Sequence, residues 1–181
     1  MSKNPLAIFA GSFDPITNGH IDIINRLTSI FNNIDIAVGN SPNKIDKYLF
    51  TQDERVKLIE RSIPINLDIN VYKVNKPLHL FIEGGEFNNY KVTIIKGLRN
   101  SEDVEYERKS LDVLESSKIG IETLFMLAGE KYRMISSSYI KQIWNWGKQD
   151  SNKKEILEMI PEVVFQAMDE KYKNKNAILS Q

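Results

Sequence analysis

The chain contains no cysteine and only two histidines, His20 and His79. The first absence excludes disulfides, thiolate catalysis and cysteine-ligated metals, and agrees with a reducing compartment. An excess of either charge is also missing. Lys+Arg and Asp+Glu both number 24, so the formal net charge is zero. No broad basic face is therefore expected for nucleic acid, and any anion site must be a local cluster. No apolar run approaches the roughly 20 residues needed to span a bilayer. The opening "MSKNPLAIFAG" is too short and too quickly polar for a signal peptide. The expectation is a soluble cytoplasmic protein without nucleic-acid or membrane partners. Fixed-period repeats, low-complexity blocks and linkers are absent too. With 181 residues, 41% of them hydrophobic, the chain suits one domain over residues 1–181.

What is present alternates. Leu6–Ala10 is a short apolar run and reads as a buried strand. Ile23, Ile24, Leu27, Ile30 and Phe31 then recur at helical spacing. Ile34–Val38 is a second strand, followed by the polar loop "NSPNKIDKY". Thr51 and Glu54 form a capping-box signature ahead of Val56, Leu58, Ile59 and Ile63. Asp68–Val74 is a third strand, Pro77 opens a short helix over Leu78–Ile82, and Val92–Ile95 is a fourth strand. Asp103 to Ser116 reads as helix and Thr123–Leu127 as a fifth strand. A helical part follows from about residue 137, with a stretch from Glu155 to Tyr172 cut by Pro161 and a tail, 173–181, expected to fray. Strands alternating with helices predict an α/β, Rossmann-like fold. Its five-stranded parallel sheet would carry helices on both faces, with a C-terminal helical part.

In such sheets ligands bind beyond the carboxyl ends of the strands. After the first strand comes "GSFDPITNGH". Gly11 allows a close backbone approach or positive φ, Ser12 offers a hydroxyl, and Asp14-Pro15 sets a turn. His20 falls in the first turn of the next helix, where unsatisfied N–H groups favour a phosphate. A tight turn closed by a capping histidine explains the same residues without a ligand. The stretch matches neither standard glycine-rich phosphate fingerprint. After the second strand comes Lys44, and after the fourth "KGLRN", with Lys96 and Arg99 flanking Gly97. Asp103 and Glu107 share one helix face, and a solvated acidic face is the ordinary explanation. After the fifth strand, one of Ser136, Ser137 and Ser138 would cap the next helix. Three hydroxyls at a helix start also suit a phosphate. Ser138-x-x-Lys141 matches the SxxK pattern of acyl-serine enzymes, but its KTG and SDN partners are absent. All these groups follow strands at one end of one sheet. Hydroxyls, an imidazole and three cations, with no thiol and no obvious base, suit polyphosphate binding and transfer.

"GSFDPITNGHIDI" resembles the T/HxGH signature of the nucleotidyltransferase superfamily. Together with "SPNK", "KGLRN…DVEYE" and "ISSSYIK" in order, it resembles the bacterial phosphopantetheine adenylyltransferase family over roughly residues 5 to 170. That resemblance implies transfer of AMP from ATP to 4'-phosphopantetheine, giving dephospho-coenzyme A and pyrophosphate, with Mg²⁺ carried by ATP. It also implies a homo-hexamer. Carried over by motif, Ser12, His20, Lys96, Arg99 and Ser136–Ser138 would meet ATP phosphates. Gly11, Phe13 and Gly97 would line the nucleotide site, and Glu107 would lie near the adenosine. Lys44 would bridge the phosphopantetheine phosphate and the reacting α-phosphate, with Ser12 and Lys96 beside it. Leu78 would line the pantetheine pocket. His20, Lys44, Arg99 and Ser12 would form the catalytic set.

The chain departs from the family pattern in three places. Lys96 stands where Arg is usual, Val113-Leu114 stand where a "MN" pair is usual, and the loop after Lys44 is longer. Two other readings compete. A nicotinate mononucleotide adenylyltransferase usually has His in place of Thr17. A catalytically inactive nucleotide-binding protein need not keep Ser12, His20, Lys44 and Arg99 together.

Overall fold

The computed structural model describes residues 3–40, 47–101, 103–105, 107, 108, 120–147 and 149–179. Five strands form one parallel sheet in the order β3-β2-β1-β4-β5. They are β1 (Asn4–Gly11), β2 (Ile34–Gly39), β3 (Ile69–Val74), β4 (Tyr90–Leu98) and β5 (Glu122–Leu127). The helices are α1 (Asn18–Leu27), α2 (Gln52–Glu60), α3 (Leu78–Ile82), α4 (Ser137–Asn145), α5 (Lys153–Met159) and α6 (Glu162–Leu179). Residues 103–105, 107 and 108 are also helical.

β1 is central because its sequence is apolar on both sides. Ala7 and Phe9 face a core completed by α1, α2 and the C-terminal helices; Leu6, Ile8 and Ala10 face a second cluster with Val74, Ile82, Phe87 and Ile94. Alternating side chains make such a strand buried on both faces. The first core has the longer helices over it: Ile23, Ile24 and Leu27 of α1, Leu58 and Ile59 of α2, Ile140 and Trp144 of α4, and Val164, Phe165 and Met168 of α6. The chain leaves β1 for β2 on one side and returns through β4 on the other. The order therefore reverses between β1 and β4, and a crevice opens there beyond the strand ends.

Several element ends differ from the sequence reading. β4 runs over Tyr90–Leu98 rather than Val92–Ile95, because β1 pairs with its first half and β5 with its second. The α1 pattern continues to Phe31, yet the helix ends at Leu27 and Ile30 is 63% exposed. There the Thr28 and Ser29 hydroxyls donate to the Asn25 and Arg26 carbonyls, a local alternative to helical pairing. Pro161 separates α5 from α6, as its missing N–H requires. α6 carries on to Leu179 where fraying from residue 173 was expected, and its exposed part holds an i,i+4 ion pair, Lys173 Nζ to Asp169 Oδ2 at 2.7 Å.

Candidate active site

The β1–α1 connection begins at Gly11 and ends at Thr17, the N-cap of α1. Phe13 takes the positive φ in this turn, 48°, and Asp14-Pro15 is cis. Gly11 itself does not take the positive φ, and the fold gives it a packing role. A Cβ there would stand 3.1 Å from the Phe13 ring, which folds back over the glycine. The buried ring meets Phe9 edge-on at 5.2 Å and His20 at 5.1 Å, so the turn is held by aromatic packing.

His20 sits at the third position of α1 and takes the part usually played by Glu or Gln in a capping box. The Thr17 N–H donates to its Nδ1 at 3.0 Å, and the Thr17 hydroxyl lies 2.9 Å from the same nitrogen. Nδ1 is an acceptor, so the neutral ring carries its proton on Nε2. Burial, and then the positive charge of Arg99, lower the imidazole pKa from 6.5 to about 4. At neutral pH this group is an uncharged N–H donor.

The two cations at the end of β4, Lys96 within the strand and Arg99 just after it, are already paired. Arg99 forks onto Asp103, Nε to Oδ2 at 2.9 Å and Nη2 to Oδ1 at 2.6 Å, while its backbone N–H reaches Oδ2 at 2.8 Å. Lys96 Nζ lies 3.0 Å from Oε2 of Glu107. That buried oxygen makes no hydrogen bond of good geometry, so the contact is one of charge. Asp103 and Glu107 are thus counter-ions rather than a solvated acidic face. Gly97 between the cations serves packing: a Cβ there would lie 2.7 Å from Ile23 Cδ1 of α1.

Of the three serines, Ser136 is the cap, its Oγ accepting from the Tyr139 N–H at 3.0 Å. Ser137 Oγ donates to the Pro15 carbonyl at 2.7 Å and ties α4 to the β1–α1 turn. Ser138 is exposed in the first turn of α4. The β1–α1 turn, the end of β4 and the start of α4 therefore meet at the sheet's carboxyl edge. They present an N–H donor, cations and a helix N-terminus, a set able to hold polyphosphate and to stabilise charge on a transferring phosphorus. Leu78 lies after β3, two strands from β1, packed against the second core cluster. Lys44, Val113 and Leu114 lie outside the described residues.

The sequence pattern of the cytidylyltransferase-like family matches residues 8–143. A phosphopantetheine adenylyltransferase of Alkaliphilus metalliredigens is 37% identical over 168 residues, covering 92% of this chain and 98% of the relative. The Clostridium novyi enzyme of the same name is 42% identical over 142 residues, 78% of this chain and 84% of that one. The chain belongs to the phosphopantetheine adenylyltransferase family. Among solved structures, a bifunctional NMN adenylyltransferase/ADP ribose pyrophosphatase from Francisella tularensis superposes with a TM-score of 0.62 at 14% identity, over 98% of this chain and 55% of that one. At that identity it shows the nucleotidyltransferase fold alone.

In this family member, three groups outside the candidate site residues named from the sequence hold the site in shape. Arg55, 1% exposed on α2, donates from Nη1 to the Ser12 carbonyl at 2.6 Å and to the Gly39 carbonyl at 3.0 Å. Its Nη2 donates to Asn40 Oδ1, and the Tyr48 ring lies 4.4 Å from the guanidinium carbon. One fork thus clamps the ends of β1 and β2. A sequence signal existed: Arg55, Leu58 and Ile59 share the helix stripe that faces the core, and a charge there must be partnered. Asp14, 2% exposed, and Lys141 on α4 form an ion pair at 2.6 Å. Nothing local in the sequence links them, because 127 positions separate the two.

Proposed function

We propose that the protein transfers the adenylyl group of ATP to 4'-phosphopantetheine, releasing dephospho-coenzyme A and pyrophosphate. The observation that carries this reading is the near-full-length match to relatives of that name. The donors at the strand ends fit the chemistry. An oxygen of the acceptor phosphate attacks the α-phosphorus of ATP, a new P–O bond forms, and the bond to the bridging oxygen breaks. Pyrophosphate leaves with that electron pair. The nucleophile is already an oxyanion, so no protein base is required. The protein contributes orientation and charge stabilisation.

In this reading the His20 Nε2–H, Arg99, Lys96, Ser12 and the start of α4 at Ser136–Ser138 face the ATP phosphates. Lys44 is assigned, by motif alone, to bridge the acceptor phosphate and the α-phosphate. Gly11, Phe13 and Gly97 shape the walls, Glu107 neighbours the adenosine, and Leu78 the pantetheine arm. Mg²⁺ is assigned to the triphosphate. Among the described residues no group of three or more His, Cys, Asp or Glu side chains is placed to hold a metal, and a cation chelated by phosphate oxygens needs no such cage. Among those residues no helix is long and apolar enough to cross a membrane. A cytoplasmic place and a hexamer complete the proposal. β5 supports self-association, since this edge strand exposes Leu124 (48%) and Leu127 (58%). Light scattering checks it: a hexamer has six times the 20.9 kDa chain mass.

The deciding assay is pyrophosphate release with ATP and Mg²⁺, with 4'-phosphopantetheine or nicotinate mononucleotide as acceptor. Release with the first alone, with dephospho-coenzyme A seen by mass, is the expected result. Release with the mononucleotide alone would replace the acceptor. ATP binding without release from either would leave a nucleotide-binding protein.

A further inference from the structure

Asp14 sits two residues after Ser12 and makes no contact that the phosphate chemistry requires. Its carboxylate is nevertheless the most connected acidic group in the site. Oδ1 accepts from the Phe50 N–H at 2.9 Å and the Leu49 N–H at 3.2 Å; Oδ2 accepts from the Leu49 N–H at 3.0 Å and from Lys141 Nζ at 2.6 Å. Lys141 Nζ also reaches the Lys47 carbonyl at 3.4 Å. The Lys141 carbonyl in turn accepts from the Tyr172 hydroxyl at 3.2 Å, which braces α4 against α6. Three chain segments converge on one ion pair: the β1–α1 turn, residues 47–50 after β2, and α4. Ser137 Oγ, bonded to the Pro15 carbonyl, closes the same triangle one turn earlier on α4.

A buried ion pair is a poor device for stability, because desolvation cancels much of its attraction. Its directional value is greater, since three donors converge on two oxygens through four contacts and fix the relative placement of the segments that make them. The β1–α1 turn carries Ser12 and leads to His20. Residues 47–50 follow Lys44 within a few positions. α4 begins at the Ser136–Ser138 run.

We propose that Asp14 and Lys141 are positioning residues for the transfer reaction: their ion pair holds the acceptor-side segment after β2 in register with the phosphate-side turn and α4. This rests on the adenylyl-transfer reading for its catalytic consequence and on geometry alone for its structural one. Misplacement of catalytic groups by about 1 Å costs up to about 10²-fold in rate.

Lys141→Met keeps the stem and removes the ammonium. Native-state trypsin cleavage after Lys47 reads the anchoring of residues 47–50 without any reaction. The expected result is cleavage after Lys47 faster by about tenfold or more, beyond any change at other trypsin sites, because local opening is what the lost contact releases. kcat for pyrophosphate release should fall about 10- to 100-fold while the KM for ATP moves less than threefold. Lys141→Arg should restore both readouts most of the way. Asp14→Asn should match Lys141→Met, and the double variant should be no worse than either single one, as for two groups acting as a unit. Unchanged cleavage with weakened ATP binding would overturn the proposal and make Lys141 a direct phosphate contact. Faster cleavage at every site with a lowered midpoint would make the pair a general brace. An inactive wild-type protein would sink the adenylyl-transfer reading, yet the cleavage comparison would still stand.

Discussion

The backbone N–H of Thr17 and the imidazole Nδ1 of His20 are joined at 3.0 Å, three residues apart across the first turn of α1. That bond caps the helix and assigns the ring proton. With Nδ1 accepting, Nε2 is the protonated nitrogen of the neutral ring. The same residue therefore closes the turn and presents one N–H donor. Nitrogen NMR of the free protein at pH 7 is expected to show the Nε2–H tautomer. The Nδ1–H tautomer would break the link between cap and donor.

The half-buried imidazole makes stability depend on pH in a defined window. Its pKa is about 4 when folded against 6.5 for the free group, by burial first and Arg99 second. Between these values the unfolded chain binds more protons than the folded one, so stability rises with pH there. It is lost as pH falls from about 6.5 through about 4, and the loss then levels off. The contribution is on the order of 3 kcal/mol. Urea unfolding at pH 7 and pH 4 should show a larger loss for the wild type than for His20→Gln. Equal losses would mean that His20 charges without penalty.

His20→Gln also separates the two roles of the residue. Gln is an ordinary capping-box partner at this position, so the Thr17 N–H keeps an acceptor. The Nε2–H is lost. Removing one preorganised donor of this kind typically costs about 10²–10³ in kcat. The expected variant unfolds near the wild-type temperature and loses kcat on that scale, with a modest change in the KM for ATP. His20→Ala should lose the rate as well and, with the cap gone, about 1 kcal/mol of stability. Near-wild-type turnover in His20→Gln would remove the imidazole from the mechanism.

Gly97 tests whether a motif residue is there for ligand or for packing. Its missing Cβ makes room for Ile23 Cδ1. Gly97→Ala should cost about 1–3 kcal/mol by overpacking. Adding Ile23→Val, which deletes the offending methyl, should recover part of that loss. A variant that stays stable but no longer binds ATP would instead assign Gly97 to the nucleotide.

Arg55 gives the sharpest stability prediction. It is buried with its charge shared among the Ser12 and Gly39 carbonyls and Asn40. Arg55→Lys keeps a charge but cannot reproduce the fork. Hydrogen bonds to charged groups are worth about 1.5–3 kcal/mol each, so a loss of that size in thermal or urea unfolding is expected. kcat should fall with it, since the Ser12 turn loses its anchor. Arg55→Ala should be worse.

Much of the fold could be read along the chain because β1, β2 and α1 announce themselves by periodicity, and each period is a local property. The grouping of the candidate residues was legible for the same reason: Ser12, His20, Arg99 and Ser136 follow strands, Lys96 lies near the end of one, and parallel strands end at one edge. The uses of the glycines were less legible. Gly11 and Gly97 look like ligand approaches in sequence, and the fold adds that they also make room for the Phe13 ring and Ile23, which only packing reveals. Asp103 and Glu107 look like solvent-facing acids until β4 places Arg99 and Lys96 beside them.

By itself, then, the amino-acid order determined the alternation of strands and helices, the capping of α1, and the set of donors and cations available for phosphate. These follow from neighbours within a few residues. The tertiary structure decided which charges are spent on one another, how far His20 is desolvated, and that Asp14 meets Lys141 from 127 positions away. Those outcomes depend on which segments the sheet brings within about 3 Å, the reach of a hydrogen bond, and no local pattern encodes that distance.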